Sequence, residues 1–136
     1  MVIHKILVTG SNGQLGWELA QAASSFPQFE FVFVDRNAMD LSMPNEFESA
    51  INLFAPDAII NTAAYTAVDK AETETALAHT INAEAVASLA GIAKKRNIPF
   101  INTWCLSAHT WISCRQSQFH IFPIATRILL NICFVI

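Results

Sequence analysis

The residues best suited to chemistry stand near the start of the chain, in the run Thr9-Gly10-Ser11-Asn12-Gly13-Gln14-Leu15-Gly16. Three glycines at intervals of three lie between an apolar run and an amphipathic one. At such a junction Gly10 allows a tight turn and Gly13 lets the backbone approach a pyrophosphate without a Cβ in the way. Gly16 lets a helix pack close to a strand. The N-terminus of the following helix presents free N–H groups and a partial positive charge to phosphate oxygens. The loop, with Asn12 in its turn, is therefore read as a cradle for the pyrophosphate of NAD or NADP. The alternative is a glycine-rich turn with no ligand. The next apolar run ends in Val34-Asp35-Arg36. An acid about 20 residues after the loop can accept a hydrogen bond from the adenosine ribose, which favours NAD. Arg36 beside it can pair with a 2′-phosphate, which favours NADP. These two residues leave the choice open; the alternative for Asp35 is a solvated turn residue.

The elements that must carry this loop follow from hydrophobic periodicity. Ile3 to Thr9 reads as a buried strand, and Gln14 to Ala23 as a helix with Leu15, Leu19, Ala22 and Ala23 on one side. Phe29 to Val34 is a second strand. Asn45 to Phe54 is a helix, which Pro44 suits as a start. Asp57 to Thr62 is a third strand. Ala76 to Arg96 is one long helix with Ile81, Ala85, Leu89 and Ile92 at helical spacing, and Pro99 to Asn102 begins a fourth strand. Strands alternating with helices imply an α/β fold: a Rossmann-like, doubly wound parallel sheet of about four strands. Right-handed crossovers favour the strand order 3-2-1-4.

The composition narrows the function. The chain of 136 residues suits one domain; it is 53% hydrophobic and only 14% charged. A net charge of −3 and a pI near 5.7 argue against a nucleic-acid binder, which normally shows a basic face. No signal peptide is expected, because only Ile6 to Val8 separate Lys5 from Thr9. No apolar run approaches the ~18 residues of a membrane helix. The three cysteines, Cys105, Cys114 and Cys133, fit neither a disulfide framework nor a zinc pattern and are read as free cytoplasmic thiols. No metal site is expected; His109 and His120 lie eleven apart with no acids near them.

A second motif is more specific than the glycine loop. The run Asn61-Thr62-Ala63-Ala64-Tyr65-Thr66-Ala67-Val68-Asp69-Lys70-Ala71-Glu72 resembles the segment after the third main strand of the dTDP-4-dehydrorhamnose reductases, a branch of the extended short-chain dehydrogenases. The loop Thr9-Gly10-x-x-Gly13-x-x-Gly16, the trio Ile81-Asn82-Ala83 and the run Pro99-Phe100-Ile101-Asn102-Thr103 are similar to the same family. The resemblance covers residues 1–103. It implies that Gln14 and Leu15 lie on the pyrophosphate, that Asp40 and Leu41 lie by the adenine, and that Ala63, Ala64 and Tyr65 line the cofactor. It further implies that Thr66 and Val68 border a nucleotide-sugar substrate. Small residues at a strand's C-terminal end leave room for a flat ring system at the switch point of a sheet, although close packing alone would also use them. The alternative for Asn82 is a polar residue bonding a neighbouring strand. The implied partner is a nucleotide sugar, with a homodimer as the candidate assembly.

The family's reaction passes a hydride from nicotinamide to a sugar ketone. It uses a tyrosine as proton donor, a lysine four residues on, and a Ser-Thr pair after the fourth strand. Here Thr103 is followed by Trp104-Cys105-Leu106-Ser107. The single tyrosine is Tyr65, and Lys70 lies five residues after it. No catalytic residue is assigned. All 11 acidic residues lie at or before Glu84, and residues 104–136 keep only Arg115 and Arg127 as basic residues besides histidine. The expected division is therefore a dinucleotide-binding domain over 1–103 and an atypical hydrophobic tail over 104–136. The tail is the product of a truncation or frameshift in a longer gene, or else a divergent authentic terminus. Reading the two other frames beyond codon 103 tests this: absence of Ser-Thr-Asp-Tyr from both counts against the frameshift. Three functions fit: the cofactor-binding part of a reductase, a non-catalytic regulatory module of the kind that serves methionine adenosyltransferase, or a decayed gene product.

Overall fold

The computed structural model describes residues 2–103. The expectations for the tail, its cysteines and its histidines fall outside the described residues. Four parallel strands form one sheet: β1 (Lys5–Thr9), β2 (Glu30–Val34), β3 (Ala58–Asn61) and β4 (Phe100–Asn102). In β1, Ile6, Leu7 and Val8 are buried on both faces, as a parallel strand covered by helices on each side requires. All of β3 is buried, whereas β2 and β4 are mostly half-exposed.

The strand order is β2-β1-β3-β4, so the α/β class is as expected and the order 3-2-1-4 is not. The correction has a topological cause. The chain between β2 and β3 holds one short helix and no further strand, so nothing extends the sheet beyond β2. The crossover out of β2 therefore passes over β1 and lays β3 on its other side, giving pairs Thr9↔Val34 and Thr9↔Asn61. This is the other common doubly wound order, with the direction of winding reversing between β1 and β3.

Reversal of direction with right-handed crossovers sends successive helices to opposite faces. The helix α1 (Gln14–Ala23) connects β1 to β2 and lies on one face. A 3₁₀ turn at Pro44–Glu46 leads into α2 (Phe47–Phe54) on the other. That face holds the main core, in which Leu7, Val34 and Ile59 of the sheet meet Phe47 and Ile51 of α2 and Ala85, Leu89 and Ala93 of the last helix. The helix α2 ends at Ala55 in the left-handed region (φ 46°), and Pro56 prevents its continuation.

Two helical features differ from expectation. A short helix, α3 (Val68–Ala71), follows β3. The expected single helix over 76–96 begins at Thr75 as α4 (Thr75–His79), passes through a π turn at Thr80–Glu84, and continues as α5 (Ala85–Arg96). Lys94, Lys95 and Arg96 occupy the last turn of α5, where the helix dipole favours cations. Lys95 pairs with Glu48 of α2 at 2.7 Å, and Arg96 donates to Asn52. Among the described residues no helix is long and apolar enough to cross a membrane.

Candidate functional site

The glycine loop leaves the C-terminal end of β1 at the reversal point of the sheet. Gly10 has φ 78°, a conformation L side chains rarely adopt. A Cβ there would lie 2.7 Å from the Ala63 nitrogen. The loop after β1 and the loop after β3 therefore touch, backbone against backbone. Gly16 is buried, and a Cβ on it would stand 2.2 Å from the Gly10 carbonyl oxygen. Gly13 is looser, its nearest neighbour being the same oxygen at 3.3 Å. The loop is closed by Gly13 N–H donating to Gly10 O at 3.0 Å and tied to β2 by Ser11 N–H donating to Val34 O at 3.1 Å. No side chain caps the first turn of α1, and Asn12, Gly13 and Gln14 are exposed around it. Leu15 is half-buried. The start of α1 thus lies at an exposed surface with no side-chain cap on its first-turn N–H groups.

At the end of β2, Asp35 organises its own turn. Its Oδ1 accepts the N–H groups of Asn37 (3.0 Å) and Ala38 (3.1 Å), and its Oδ2 accepts from the Asn37 amide (3.2 Å). The Ala38 N–H, above the other contacts, holds the carboxyl below its ordinary value, with a smaller contribution from Asn12 of the glycine loop. Arg36 points to solvent and donates from Nε to Asp40 Oδ2 at 3.0 Å. The other oxygen of Asp40 accepts from the Ser42 amide (2.8 Å) and hydroxyl (2.7 Å). Burial pushes the Asp40 carboxyl up, but Ser42 and Arg36 outweigh it, and its pKa falls below the ordinary value. The Leu41 side chain is in the core, so this residue has only its backbone to offer a ligand. An open groove of about 650 Å³ runs between Arg36–Asp40 and α2, reaching Leu53; it includes no residue of the glycine loop.

The loop after β3 is held by polar groups that the sequence reading did not assign. Asn61 is fully buried, and its Oδ1 accepts from the Thr9 hydroxyl (2.5 Å) and the Ala63 N–H (3.2 Å). Its Nδ2 donates to Asn102 Oδ1 (2.7 Å), so one side chain links β1, β3 and β4 at their C-terminal ends. The Thr62 hydroxyl donates to Thr9 O at 2.6 Å. Ala63 and Ala64 are half-buried and Thr66 is exposed; Val68 is the first residue of α3. Tyr65 donates its hydroxyl to Glu74 Oε2 at 2.5 Å, and this bond raises the phenol above its ordinary pKa. Asn82 bonds not a strand but the backbone of Tyr65, through both its oxygen and its nitrogen. The polar residue closing the apolar run Ala58-Ile59-Ile60-Asn61 is the one sequence signal that could have found Asn61. Glu74 carries none. Among the described residues no group of three His, Cys, Asp or Glu could hold a metal ion.

Read across the sheet, the ends of β2, β1 and β3 offer in turn an acid and an arginine, a glycine cradle at a helix N-terminus, and a wall of small residues closed by Tyr65. The sequence model of the RmlD substrate binding domain family matches residues 4–104. The dTDP-4-dehydrorhamnose reductase of Burkholderia thailandensis is 45% identical over 91 residues, which are 67% of this chain and 30% of that protein. Among solved structures, the dTDP-4-dehydrorhamnose reductase from Bacillus anthracis in complex with NADP superposes with a TM-score of 0.66 at 28% identity, covering 74% of this chain and 35% of the other. The reductase from Yersinia enterocolitica gives 0.66 at 34% identity, covering 71% and 33%. The chain spans about a third of the length of the curated relatives it matches.

Proposed function

Because the chain belongs to the RmlD substrate binding domain family, we propose that residues 2–103 are the NADP(H)- or NAD(H)-holding part of a dTDP-4-dehydrorhamnose reductase. The whole enzyme's reaction would be reduction of dTDP-4-dehydro-L-rhamnose to dTDP-L-rhamnose in the cytoplasm. The observation that carries the reading is the backbone contact of Gly10 with Ala63 beside the buried Gly16. It brings the β1 and β3 loops together at the C-terminal ends of their strands, where a doubly wound sheet takes its ligand.

The residues fit a dinucleotide in a definite direction. Gly10, Asn12, Gly13, Gln14, Leu15 and Gly16 would surround the pyrophosphate at the start of α1, where a helix N-terminus favours an anion. Asp35, Arg36, Asp40 and Leu41 would surround the adenosine end, and Ala63, Ala64 and Tyr65 the other half, with Thr66 and Val68 on the sugar side. When bound, the dinucleotide supplies the hydride. This chain's own residues bind and orient it, and do not complete the reaction alone. Its one tyrosine, Tyr65, is engaged with Glu74 and has no lysine four residues on.

A thermal melt of the purified chain with and without millimolar NADPH or NADH tests the reading. A ligand that binds only the folded state at 100 times its Kd stabilises by about 2.7 kcal/mol. A raised melting temperature is expected. A cooperative melt that neither dinucleotide moves would reduce the glycine loop to a structural turn.

A further inference from the structure

An acid at the end of β2 takes the ribose of a dinucleotide by accepting its hydroxyls, so it needs acceptor positions to spare. A carboxylate has about four. Asp35 has donors for all of them. Its Oδ1 accepts the N–H groups of Asn37 at 3.0 Å and Ala38 at 3.1 Å. Its Oδ2 accepts the side-chain amide of Asn37 at 3.2 Å. Asn12 of the glycine loop bonds the same carboxyl. The Oδ1 bonds are backbone bonds that fold the turn, so Oδ2 is the oxygen that could be released to a ligand. Asn37 holds it, although Asn37 is exposed and its amide makes no other hydrogen bond among the described residues.

The neighbouring cation is in the opposite condition. Arg36 has a side chain 71% exposed, and it spends only its Nε on a protein partner, Asp40, at 3.0 Å. Neither terminal nitrogen of the guanidinium bonds a described residue. A 2′-phosphate would therefore meet open donors, whereas a 2′-hydroxyl, which must donate to be recognised by an acid, meets a carboxyl already filled. The two carboxylates beside Arg36 are each bound by donors of their own turns, which moderates their repulsion of a phosphate.

We infer that Asn37 is a specificity-determining residue: its side-chain amide occupies the oxygen with which Asp35 would otherwise take a ribose hydroxyl, and so turns the adenosine end from NAD(H) toward NADP(H). This rests on the dinucleotide reading above. The acid that by its position favours NAD is thereby kept out of the choice, which falls to Arg36.

The test measures the Kd of NADH and of NADPH for the full 136-residue chain, unaltered and as Asn37→Ala. Alanine keeps the backbone N–H and with it the turn, but frees Oδ2. The unaltered chain should prefer NADPH. In Asn37→Ala, NADH is expected to tighten roughly tenfold, through one new bond to a carboxylate, while NADPH changes less than about twofold. A second readout needs no ligand. The Asp35 carboxyl, followed by NMR through an acid titration, should move up toward its ordinary value in Asn37→Ala, because a donor to its charged form is gone. Equal changes for the two dinucleotides, or an Asp35 titration that Asn37→Ala leaves in place, overturns the inference. An unmoved preference in a chain that binds both ligands removes the role of Asn37 alone and leaves the cofactor reading standing. If the unaltered chain binds neither, the cofactor reading fails and the specificity role with it.

Discussion

Gly16→Ala is the sharpest test of how the loop is built. Alanine is the better helix former by about 1 kcal/mol, and Gly16 lies within α1. Helix propensity alone therefore predicts a more stable protein. The packing predicts the reverse. The new Cβ would lie 2.2 Å from the Gly10 carbonyl oxygen, 2.8 Å from Ser11 Cα and 2.9 Å from the Gly10 carbonyl carbon. All three are backbone atoms, so no rotamer change relieves the clash. The loop must retreat until the first separation reaches about 3.4 Å, where ordinary contact begins. Gly10 cannot follow freely, because it is pressed against Ala63.

Overpacking of this kind costs about 3 kcal/mol or more, so the net loss after the propensity gain is about 2 kcal/mol. In a domain of this size that is a fall in melting temperature of roughly 10–15 °C. Thermal melts by circular dichroism check it, with Gly91→Ala as the control. Gly91 is in α5 with nothing within 4 Å of its Cβ position, and alanine there should stabilise by about 0.5–1 kcal/mol. Gly13→Ala, with 3.3 Å of room, should melt close to the unaltered chain yet lose the NADPH-induced shift. A Gly16→Ala protein that melts at or above the unaltered chain would refute the close approach. A Gly13→Ala protein that keeps its full NADPH shift would refute the cradle.

Three further outcomes are expected. Asp57 Oδ2 accepts the N–H groups of Lys5 (2.8 Å) and His4 (2.9 Å), which, Lys5 first, hold its carboxyl below the ordinary 3.8. A depressed folded value means the contribution is present above the unfolded value and is lost as pH falls through the folded one. The urea midpoint should therefore drop in acid below about pH 4, and Asp57→Asn should flatten that drop; an unaltered acid profile in Asp57→Asn would count against it. Asn61→Leu leaves the buried Thr9 hydroxyl and the Ala63 N–H without their acceptor and should destabilise by about 2–4 kcal/mol in urea titration, with Thr9→Val recovering part. Arg36→Ala should weaken NADPH roughly tenfold and NADH far less, since only the former carries a 2′-phosphate to pair with the guanidinium; equal losses would show that Arg36 serves its Asp40 pair instead.

What could be read from the chain alone, and what could not, divides by the range of the interaction responsible. The span of α1 agrees at both ends with the reading, because Gly13 before it and the alternation of Leu15, Leu19 and Ala22 are local signals. The strands were placed to within two residues for the same reason. Strand order is a property of the crossovers, and no periodicity in residues 36–57 states on which side of β1 the chain will land. The four residues of α3 are too few to show a period. The π turn is invisible because Ile81, Ala85 and Leu89 keep a four-residue spacing straight through it. The polar links of the site join residues far apart: 52 positions for Thr9 and Asn61, 41 for Asn61 and Asn102, 17 for Tyr65 and Asn82. Their apolar neighbours announce the strand ends, but nothing local names the partner.

This division also separates what stabilises the fold from what shapes the site. The main core lies to one face of the sheet, where Leu7 and Ile59 meet α2 and α5, and is held by apolar burial. The C-terminal edge of the sheet, where a ligand must sit, has little such burial available. It is held by Asn61, Thr62 and Asn82, each a short polar side chain bonded to the backbone of a loop. Apolar contacts tolerate small shifts, whereas a hydrogen bond weakens steeply with angle. Loops held by such bonds therefore keep fixed positions even though they are built largely of glycine and alanine. The same choice makes the site separable from the core: loss of Asn82 should loosen the loop after β3 while Leu7, Phe47 and Leu89 remain packed.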